Sequence, residues 1–349
     1  MSTNLTYFWK KKTLISFSIA IFVIVIHNSA TWQYTGSSDI FSNTTLFIRN
    51  FFAYGLGAIA VPLFFFLSGL ALFRNFKPSS YPTKMRSRIK TILIPYLLWN
   101  TIGLLFCLLY TYTPLSNYIT SREVFEPSFQ NIFEGIFLYR YNIHFWFLYD
   151  LIIYMILSPV FYFLVSKKSL GIIFGLLLLI LPIFTESFLH LNLYFTAFFY
   201  FGCFVGKHYL HLFTKPASKR ACLIAGIITI VATTLRMLSI YNIIQIPVIP
   251  SQFNLFILVI STWFFADLFI PHLKAYRFTT EFFPIYTLHP YFLSIIVKLF
   301  CLISTDNSLW LLVSEIGSTC LAFVLVTAFS CFWHRKMPHS YKIAFGSRN

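Results

Sequence analysis

Long apolar stretches separated by clusters of basic residues are the feature that most constrains this chain. Each stretch has roughly 20 residues, the length a helix needs to cross the hydrocarbon core of a bilayer. Hydrophobic residues make up 58% of the chain and charged residues only 10%, against about 25% in soluble proteins. The sequence therefore predicts an all-α, polytopic integral membrane protein, with one transmembrane domain over 1–349 and no separate soluble domain. About ten helices are predicted, near 14–32, 51–73, 91–110, 144–165, 170–188, 191–209, 221–240, 253–271, 282–303 and 308–333.

The basic residues predict how these helices are oriented. Most of the 26 lysines and arginines fall on the side that carries both termini and every second connection. Because basic residues are retained on the cytoplasmic side, both termini are expected there. The net charge of +16 is explained by this topology, so no nucleic acid partner is expected. The first apolar stretch is interpreted as a retained helix, since Asn28-Ser29-Ala30 is a poor signal-peptide cleavage site.

The cysteines give no sign of a metal or disulfide framework. All six are scattered, almost all of them within apolar stretches, and none forms a CxxC pair. This pattern argues against a structural zinc site and against a disulfide scaffold. We therefore expect no metal.

Ionisable residues inside the predicted spans are candidates for function, because charge is costly in hydrocarbon. With a rise of about 1.5 Å per residue, His27, Asp150 and Glu315 are expected at one depth in the outer third of the membrane. His289 is expected nearer the midplane. Each has a structural reading as well; Pro290, for example, removes a backbone donor and could leave His289 to satisfy the freed carbonyl. Equal depth predicts a direct contact between His27 and Asp150, with Glu315 as the competing partner.

Two segments add candidate binding residues. The segment HFWFLYD, which ends at Asp150, places aromatic and polar groups at the outer mouth of a span, although an interfacial aromatic belt would explain it equally. In FFFLSGLALFR, Gly69 would let a ligand or another backbone approach closely, and Ser68 could bond to a ligand there. A contact between helices through small residues explains the Ser-Gly pair but not the basic residues beside it. Those residues predict a cationic rim for phosphates, or a positive-inside anchor. The rim consists of Arg74, Lys77, Arg86 and Arg88.

Taken together, these motifs resemble the acyltransferase-3 family of membrane acyltransferases, which modify bacterial cell-surface glycans and other acceptors. The resemblance rests on the span pattern, on a histidine late in the first span, and on FFFLSGLALFR, RSRIKTILIPYLLWN, HFWFLYDLI and IYTLHPYF in this order. It implies acyl-CoA, usually acetyl-CoA, as a cytoplasmic donor. It also implies an essential histidine at the place of His27 and donor-binding basic residues at Arg74 and its neighbours.

The chain departs from the family pattern at two positions. Members commonly carry a basic residue eleven positions before the histidine, where this chain has Ser16, and its lysines cluster at 10–12 instead. Many members have arginine three positions after Trp146, where this chain has Tyr149. Either other cations hold the donor, or the protein has a non-catalytic or transport role.

The sequence therefore predicts an O-acetyltransferase-like enzyme of the bacterial cytoplasmic membrane. It would move an acyl group from acyl-CoA, a co-substrate rather than a permanently bound cofactor, to a hydroxyl of a cell-surface sugar or lipid-linked glycan. His27 is expected to act as general base, oriented by Asp150. The basic rim and Ser68 are expected to bind the donor. The alternative is a polysaccharide exporter or flippase. Residues expected to border the acceptor are Trp146, Tyr149 and His289.

Overall fold

The computed structural model describes residues 3–31, 40–113, 125–185, 187–188, 190–245, 248–272, 282–301 and 308–346. Within these residues the protein is almost entirely helical, as predicted. Their one strand pairing joins β1 (Ser187–Phe188) to β2 (Leu191–Asn192) in an antiparallel hairpin. Lys274, Arg277 and Arg348, which support the predicted orientation, lie outside the described residues.

Sixteen α-helices are described, several of them continuous with short π or 3₁₀ segments. In chain order they are α1 (Thr3–Thr31), α2 (Ile40–Asn50), α3 (Ala60–Phe73), α4 (Tyr81–Arg88), α5 (Ile94–Thr111), α6 (Phe129–Phe137), α7 (Trp146–Ile156), α8 (Ser158–Ser166), α9 (Lys168–Ile180), α10 (Leu193–His208), α11 (Leu210–Thr214), α12 (Lys219–Ile240), α13 (Val248–Phe265), α14 (Phe282–Cys301), α15 (Ser308–Lys336) and α16 (Pro338–Phe345). The π segments are Phe51–Leu56 and Ile89–Leu93, and the 3₁₀ turns are Gly57–Ile59, Pro78–Ser80, Ile143–Phe145, Leu181–Ile183, Ala266–Leu268 and Ile270–His272.

The helices confirm a protein with several membrane spans. In the described part of the chain, seven helices are long and apolar enough to cross a membrane, or eight if α7 and α8 form one span bent by 60°. The bend falls just before Pro159, whose ring cannot continue the helical hydrogen bonding. Helix α10 has 16 residues and is about 24 Å long, shorter than a typical span. The count of ten spans and the side of the termini stay predictions.

The first three spans begin earlier than the hydropathy pattern predicted. Helix α1 starts at Thr3 rather than near 14, so the lysines at 10–12 lie on the helix itself. The second span is helical from Ile40, and the third from Pro78, because π segments join the amphipathic and apolar parts. Arg86 and Arg88 therefore project from a helix rather than from a loop.

The lysine at position 11 is buried rather than part of a solvated flank. Its ammonium lies 2.6 Å from a carboxylate oxygen of Asp267, and both side chains are almost fully buried. The same carboxylate accepts hydrogen bonds from the Tyr7 hydroxyl at 2.6 Å and the Ala217 N–H at 2.9 Å. The ammonium also lies over the Trp263 ring. This network ties α1 to the connections before α12 and after α13.

Helices α3 and α10 cross with their backbones in contact, which explains the Ser-Gly pair in FFFLSGLALFR. A Cβ on Gly69 would collide with the Phe199 carbonyl, and one on Gly202 would collide with the Phe66 carbonyl. The close approach predicted for Gly69 is therefore that of another backbone. The crossing places Ser68 beside the N-terminal half of α1, and α1 packs against α3, α14 and α15.

Candidate active site

Three histidines from different parts of the chain meet near the C-terminal end of α1. His27 lies on α1, His144 on the turn before α7, and His289 on α14. The ring centroids are 4.8 Å apart for His27 and His289, 6.2 Å for His27 and His144, and 5.9 Å for His144 and His289. Among the described residues, no group of three or more histidine, cysteine, aspartate or glutamate side chains is arranged to hold a metal ion.

The proline after His289 determines how that ring is protonated. Pro290 has no N–H, so the Tyr286 carbonyl loses its helical hydrogen bond. His289 Nδ1 lies 2.7 Å from this carbonyl oxygen and 3.0 Å from that of Ile285. Because carbonyl oxygens only accept hydrogen bonds, Nδ1 carries the proton and Nε2 of the neutral ring is an acceptor. The prediction that His289 satisfies the carbonyl freed by Pro290 is thus confirmed for its Nδ1.

The same argument assigns the tautomer of His27. Its Nδ1 lies 2.8 Å from the Val23 carbonyl oxygen and 3.1 Å from Nε2 of His289. A proton on His27 Nδ1 can be donated to both of these acceptors. The neutral His27 ring therefore carries its lone pair on Nε2, which makes Nε2 the nitrogen able to accept a proton.

His27 borders a cavity of about 470 Å³, which we call the outer cavity after the predicted orientation of the helices. Its wall combines aromatic rings with a few polar groups. Tyr291 donates a hydrogen bond of 2.9 Å to Asn142, whose amide donates to the Trp99 carbonyl. Arg140 is paired with Glu134 at 2.7 Å. The residues lining this cavity are His27, Gly103, Cys107, Arg140, Tyr141, Asn142, Ile143, His144, Trp146, Pro290 and Tyr291.

The residues expected to border the acceptor are distributed unevenly around this cavity. Trp146 lines it, and its ring also packs against Phe195. His289 is fully buried behind His27 and supports it. Tyr149 packs against Tyr139 and is not among the lining residues. Their roles toward an acceptor stay predictions.

The expected contact between His27 and Asp150 is wrong. The buried Asp150 carboxylate accepts a hydrogen bond of 3.2 Å from the Asn192 N–H and one of 3.5 Å from the Tyr154 hydroxyl. It makes no hydrogen bond or ion pair with His27 among the described residues. Asn192 is the N-cap of α10, where the helix dipole favours a negative charge. Asp150 therefore binds the start of α10 instead of orienting the histidine.

The competing carboxylate is also engaged elsewhere. Glu315 lies 4.0 Å from the guanidinium of Arg49, which in turn donates hydrogen bonds to Ser29. Its backbone carbonyl accepts a hydrogen bond of 2.7 Å from the Asn28 amide. These contacts join α1, α2 and α15. Among the described side chains, His27 is thus bonded to another histidine rather than to Asp150 or Glu315.

A second cavity, of about 210 Å³, lies beside the N-terminal half of α1 and is lined by two of the predicted donor-binding residues. We call it the cytoplasmic cavity after the predicted orientation. Ser68 and Arg88 line it together with Lys12 and Ser16 from α1. Lys12 precedes Ser16 by one helical turn and so lies on the same face of α1. The described lining of this cavity contains no acidic side chain. Lys12 thus places a cation close to the position where the family pattern has a basic residue and this chain has Ser16.

The remaining members of the predicted rim are not among the residues that line this cavity. The guanidinium of Arg74 and the ammonium of Lys12 each lie 5.0 Å from the Trp9 ring. Nη1 of Arg74 is buried and has no hydrogen-bond partner among the described residues. Lys77 and Arg86 are exposed and do not line the cavity. Their binding roles stay predictions.

Packed aromatic rings separate the two cavities. Phe64 and Phe282 line the cytoplasmic cavity and stack on each other with centroids 5.4 Å apart. Phe64 contacts Phe147, which contacts Tyr286 with centroids 4.5 Å apart. Tyr286 then contacts His144 of the histidine cluster. Aromatic contacts therefore run continuously from the lining of the cytoplasmic cavity to the histidine cluster.

Another cavity, of about 570 Å³, shares no lining residue with either site. It is lined mainly by apolar side chains of α1, of the second span between Leu56 and Leu63, and of the end of α13, and Ser18, Thr229 and Thr262 contribute its hydroxyl groups. Its described lining has no ionisable side chain, so it offers no group for acid–base chemistry.

Comparison with known proteins agrees with the resemblance noted in the sequence. A family model described as an acyltransferase domain matches residues 18–332, nearly the whole chain. The chain belongs to the acyltransferase-3 family. No curated protein and no solved structure matches it. As an acyltransferase-3 member with several apolar helices, the protein is a multi-pass membrane acyltransferase.

Sequence reasoning missed two residues that the acyltransferase-3 fold brings to these cavities. His144 stands at the start of HFWFLYD, but the rings around it suggested only an interfacial belt. The sequence pattern gives Lys12 no role in a site, because the first predicted span begins near 14, beyond this lysine. The useful signals were a third histidine beside a span and a lysine one turn before Ser16.

Proposed function

We propose that this acyltransferase moves an acyl group, acetyl in the simplest case, from cytoplasmic acyl-CoA to a hydroxyl of a cell-surface sugar or lipid-linked glycan. One observation carries the proposal: helix α1 borders both cavities. Lys12 and Ser16 lie at the cytoplasmic cavity and His27 at the outer one. Ser16 and His27 are about 16 Å apart along the helix, so both substrates would meet along one helix.

The cytoplasmic cavity suits the donor because it collects cations without an acid in its described lining. Arg88 and Lys12 would bind phosphate groups of CoA, and Arg74 would use its buried, unpartnered Nη1 in the same way. Ser68 would contact the pantetheine arm as it enters between α1 and α3. The Phe64–Phe282 pair would open to let the thioester approach His27.

The outer cavity suits a hydroxyl acceptor. Its aromatic rings and few polar groups are typical of sites that enclose a small polar substrate such as a sugar. His27 Nε2 would accept the proton of the acceptor hydroxyl while that oxygen attacks the thioester carbonyl carbon. His289 would accept a hydrogen bond from His27 Nδ1 and so hold the ring in the required tautomer. The departing CoA thiolate would then take this proton from His27.

The proposal is tested with purified protein in proteoliposomes, acyl-CoA carrying a labelled acetyl group, and a sugar acceptor. We expect His27→Ala to lower transfer by about 100- to 10,000-fold, because a positioned general base contributes that much. His211→Ala is the matched control, since His211 is exposed and borders neither cavity.

Near-normal transfer by a folded His27→Ala protein would contradict the proposed base. The same assay addresses the exporter alternative. An exporter would move a glycan across the vesicle membrane without consuming acyl-CoA, whereas the proposed enzyme would release CoA in proportion to the acylated product. Fractionation of the native bacterial host would test the expected location in its cytoplasmic membrane.

A further inference from the structure

His144 is the member of the histidine cluster to which the proposed reaction gives no task. It borders the same cavity as His27, with their ring centroids 6.2 Å apart and their planes nearly perpendicular at 85°. Nε2 of His144 is buried and has no hydrogen-bond partner among the described residues. Buried polar atoms are nearly always paired, so an unpartnered ring nitrogen beside a candidate base calls for an explanation.

Three other polar groups near His27 are already engaged. Nδ1 of His289 donates to backbone carbonyls and its Nε2 accepts from His27. The Asn142 amide donates to the Trp99 carbonyl. Arg140 is bound to Glu134. Among these groups, His144 is the one whose ring retains hydrogen-bonding capacity for a substrate.

The backbone of His144 is held in place by the helix that carries His289. The Tyr286 hydroxyl of α14 donates a hydrogen bond to the His144 carbonyl. The Tyr286 ring also stacks on Phe145, with centroids 5.7 Å apart. A group that must stabilise charge during a reaction needs this kind of fixed position before the substrate arrives.

We propose that His144 is a second catalytic residue, which donates a hydrogen bond to the oxyanion formed when the acceptor attacks the thioester. This role rests on the proposed acyl transfer. Both rings border the same cavity, so a reacting carbon held in it could lie beside both of them, as such a site requires. His27 would bind the acceptor oxygen on one side, and His144 would face the thioester oxygen on the other.

The steps balance without an additional reactant. The acceptor O–H proton moves to His27 Nε2, its oxygen bonds to the thioester carbon, and the carbonyl π pair moves to the thioester oxygen. His144 N–H stabilises this oxyanion and keeps its own proton. The carbonyl then re-forms, the carbon–sulfur bond breaks, and the CoA thiolate takes the proton from His27. The products are the acyl ester and CoA.

The experiment compares His144→Ala, His144→Leu and His144→Gln by single-turnover acyl transfer, with His27→Ala alongside. A neutral amide can donate a hydrogen bond but cannot transfer a proton. Because the side chains of Ala and Leu cannot donate a hydrogen bond, we expect His144→Ala and His144→Leu to slow the chemical step by about 100- to 1,000-fold. His144→Gln should retain most of the rate, and the Kd for acyl-CoA should not change in any of the three.

The outcomes separate this role from the alternatives. A near wild-type rate in His144→Ala would overturn the oxyanion role. A His144→Gln protein as slow as His144→Leu would also overturn it, because that result would indicate that His144 acts by proton transfer or by packing. The pH–rate profile of His144→Gln should match that of the wild type, since His27 remains the titrating base. A profile that loses one of the pH-dependent limbs seen in the wild type would also overturn the oxyanion role. If the wild type transfers no acyl group, the proposed function fails and this role fails with it. If only His27→Ala is inactive, the function stands and the role of His144 alone is wrong.

Discussion

At the scale of single residues, the buried pair of Lys11 and Asp267 gives a clear test of the structure. Removing one partner of a buried ion pair leaves an uncompensated charge, which costs about 3–5 kcal/mol of stability. We expect Lys11→Met to lower the thermal unfolding temperature of the protein in detergent by a large margin. The double variant Lys11→Met/Asp267→Asn should recover much of the loss, because the new amide can still accept from Tyr7 or Ala217. Equal loss in the single and double variants would contradict the pair.

Two arginines on one short helix separate donor binding from membrane orientation. Arg88 lines the cytoplasmic cavity, whereas Arg86 is exposed beside it. A charge-assisted hydrogen bond contributes about 1.5–3 kcal/mol, so Arg88→Ala should weaken acyl-CoA binding roughly 10- to 100-fold. Arg86→Ala, which removes the same charge from the same helix, should change it little. Equilibrium binding of acyl-CoA measures both, and equal losses would indicate a diffuse charge effect.

At the scale of elements, the crossing of α3 and α10 depends on glycines. Gly69 and Gly202 each face a backbone carbonyl of the other helix. Unlike a side chain, this carbonyl cannot rotate away to make room for a new Cβ. We expect Gly69→Ala to force the helices apart, at a cost of about 1–3 kcal/mol or more. The measurement is the monodisperse fraction after size-exclusion chromatography in detergent.

A third glycine supplies the control for that experiment. A Cβ on Gly317 would lie 3.3 Å from the Phe300 ring, a side chain that can shift. Gly317→Ala should therefore leave the monodisperse fraction close to that of the wild type. If Gly69→Ala behaves as well as Gly317→Ala, the two backbones are not in contact.

At the scale of the whole molecule, the predicted orientation can be checked with two exposed positions. Ser79 follows α3 near the basic rim, and Glu126 precedes α6 at the other end of the adjacent span. In intact cells, a membrane-impermeant maleimide should label Glu126→Cys but not Ser79→Cys above the wild-type background. Both should be labelled once the membrane is made permeable. The reverse pattern would invert the topology and place the cation-lined cavity outside the cell.

The sequence by itself determined the class of protein, its family and most of its candidate residues. Apolar length and basic clusters indicated a multi-span helical protein, since both follow from the cost of placing polar groups in hydrocarbon. The same cost made His27 and His289 conspicuous. The proline after His289 even indicated the carbonyl that its ring would satisfy.

Only the tertiary structure decided which of these residues meet. Rise along a helix predicts depth, but it does not say which helices are neighbours or which faces they turn toward each other. His27 and Asp150 share a predicted depth, yet His27 bonds His289 while Asp150 binds the start of α10. Likewise, Arg88 and Arg86 are equally basic in the sequence, and packing places only Arg88 in the cavity lining. Partners were decided by contacts between residues far apart in the chain, which local patterns do not encode.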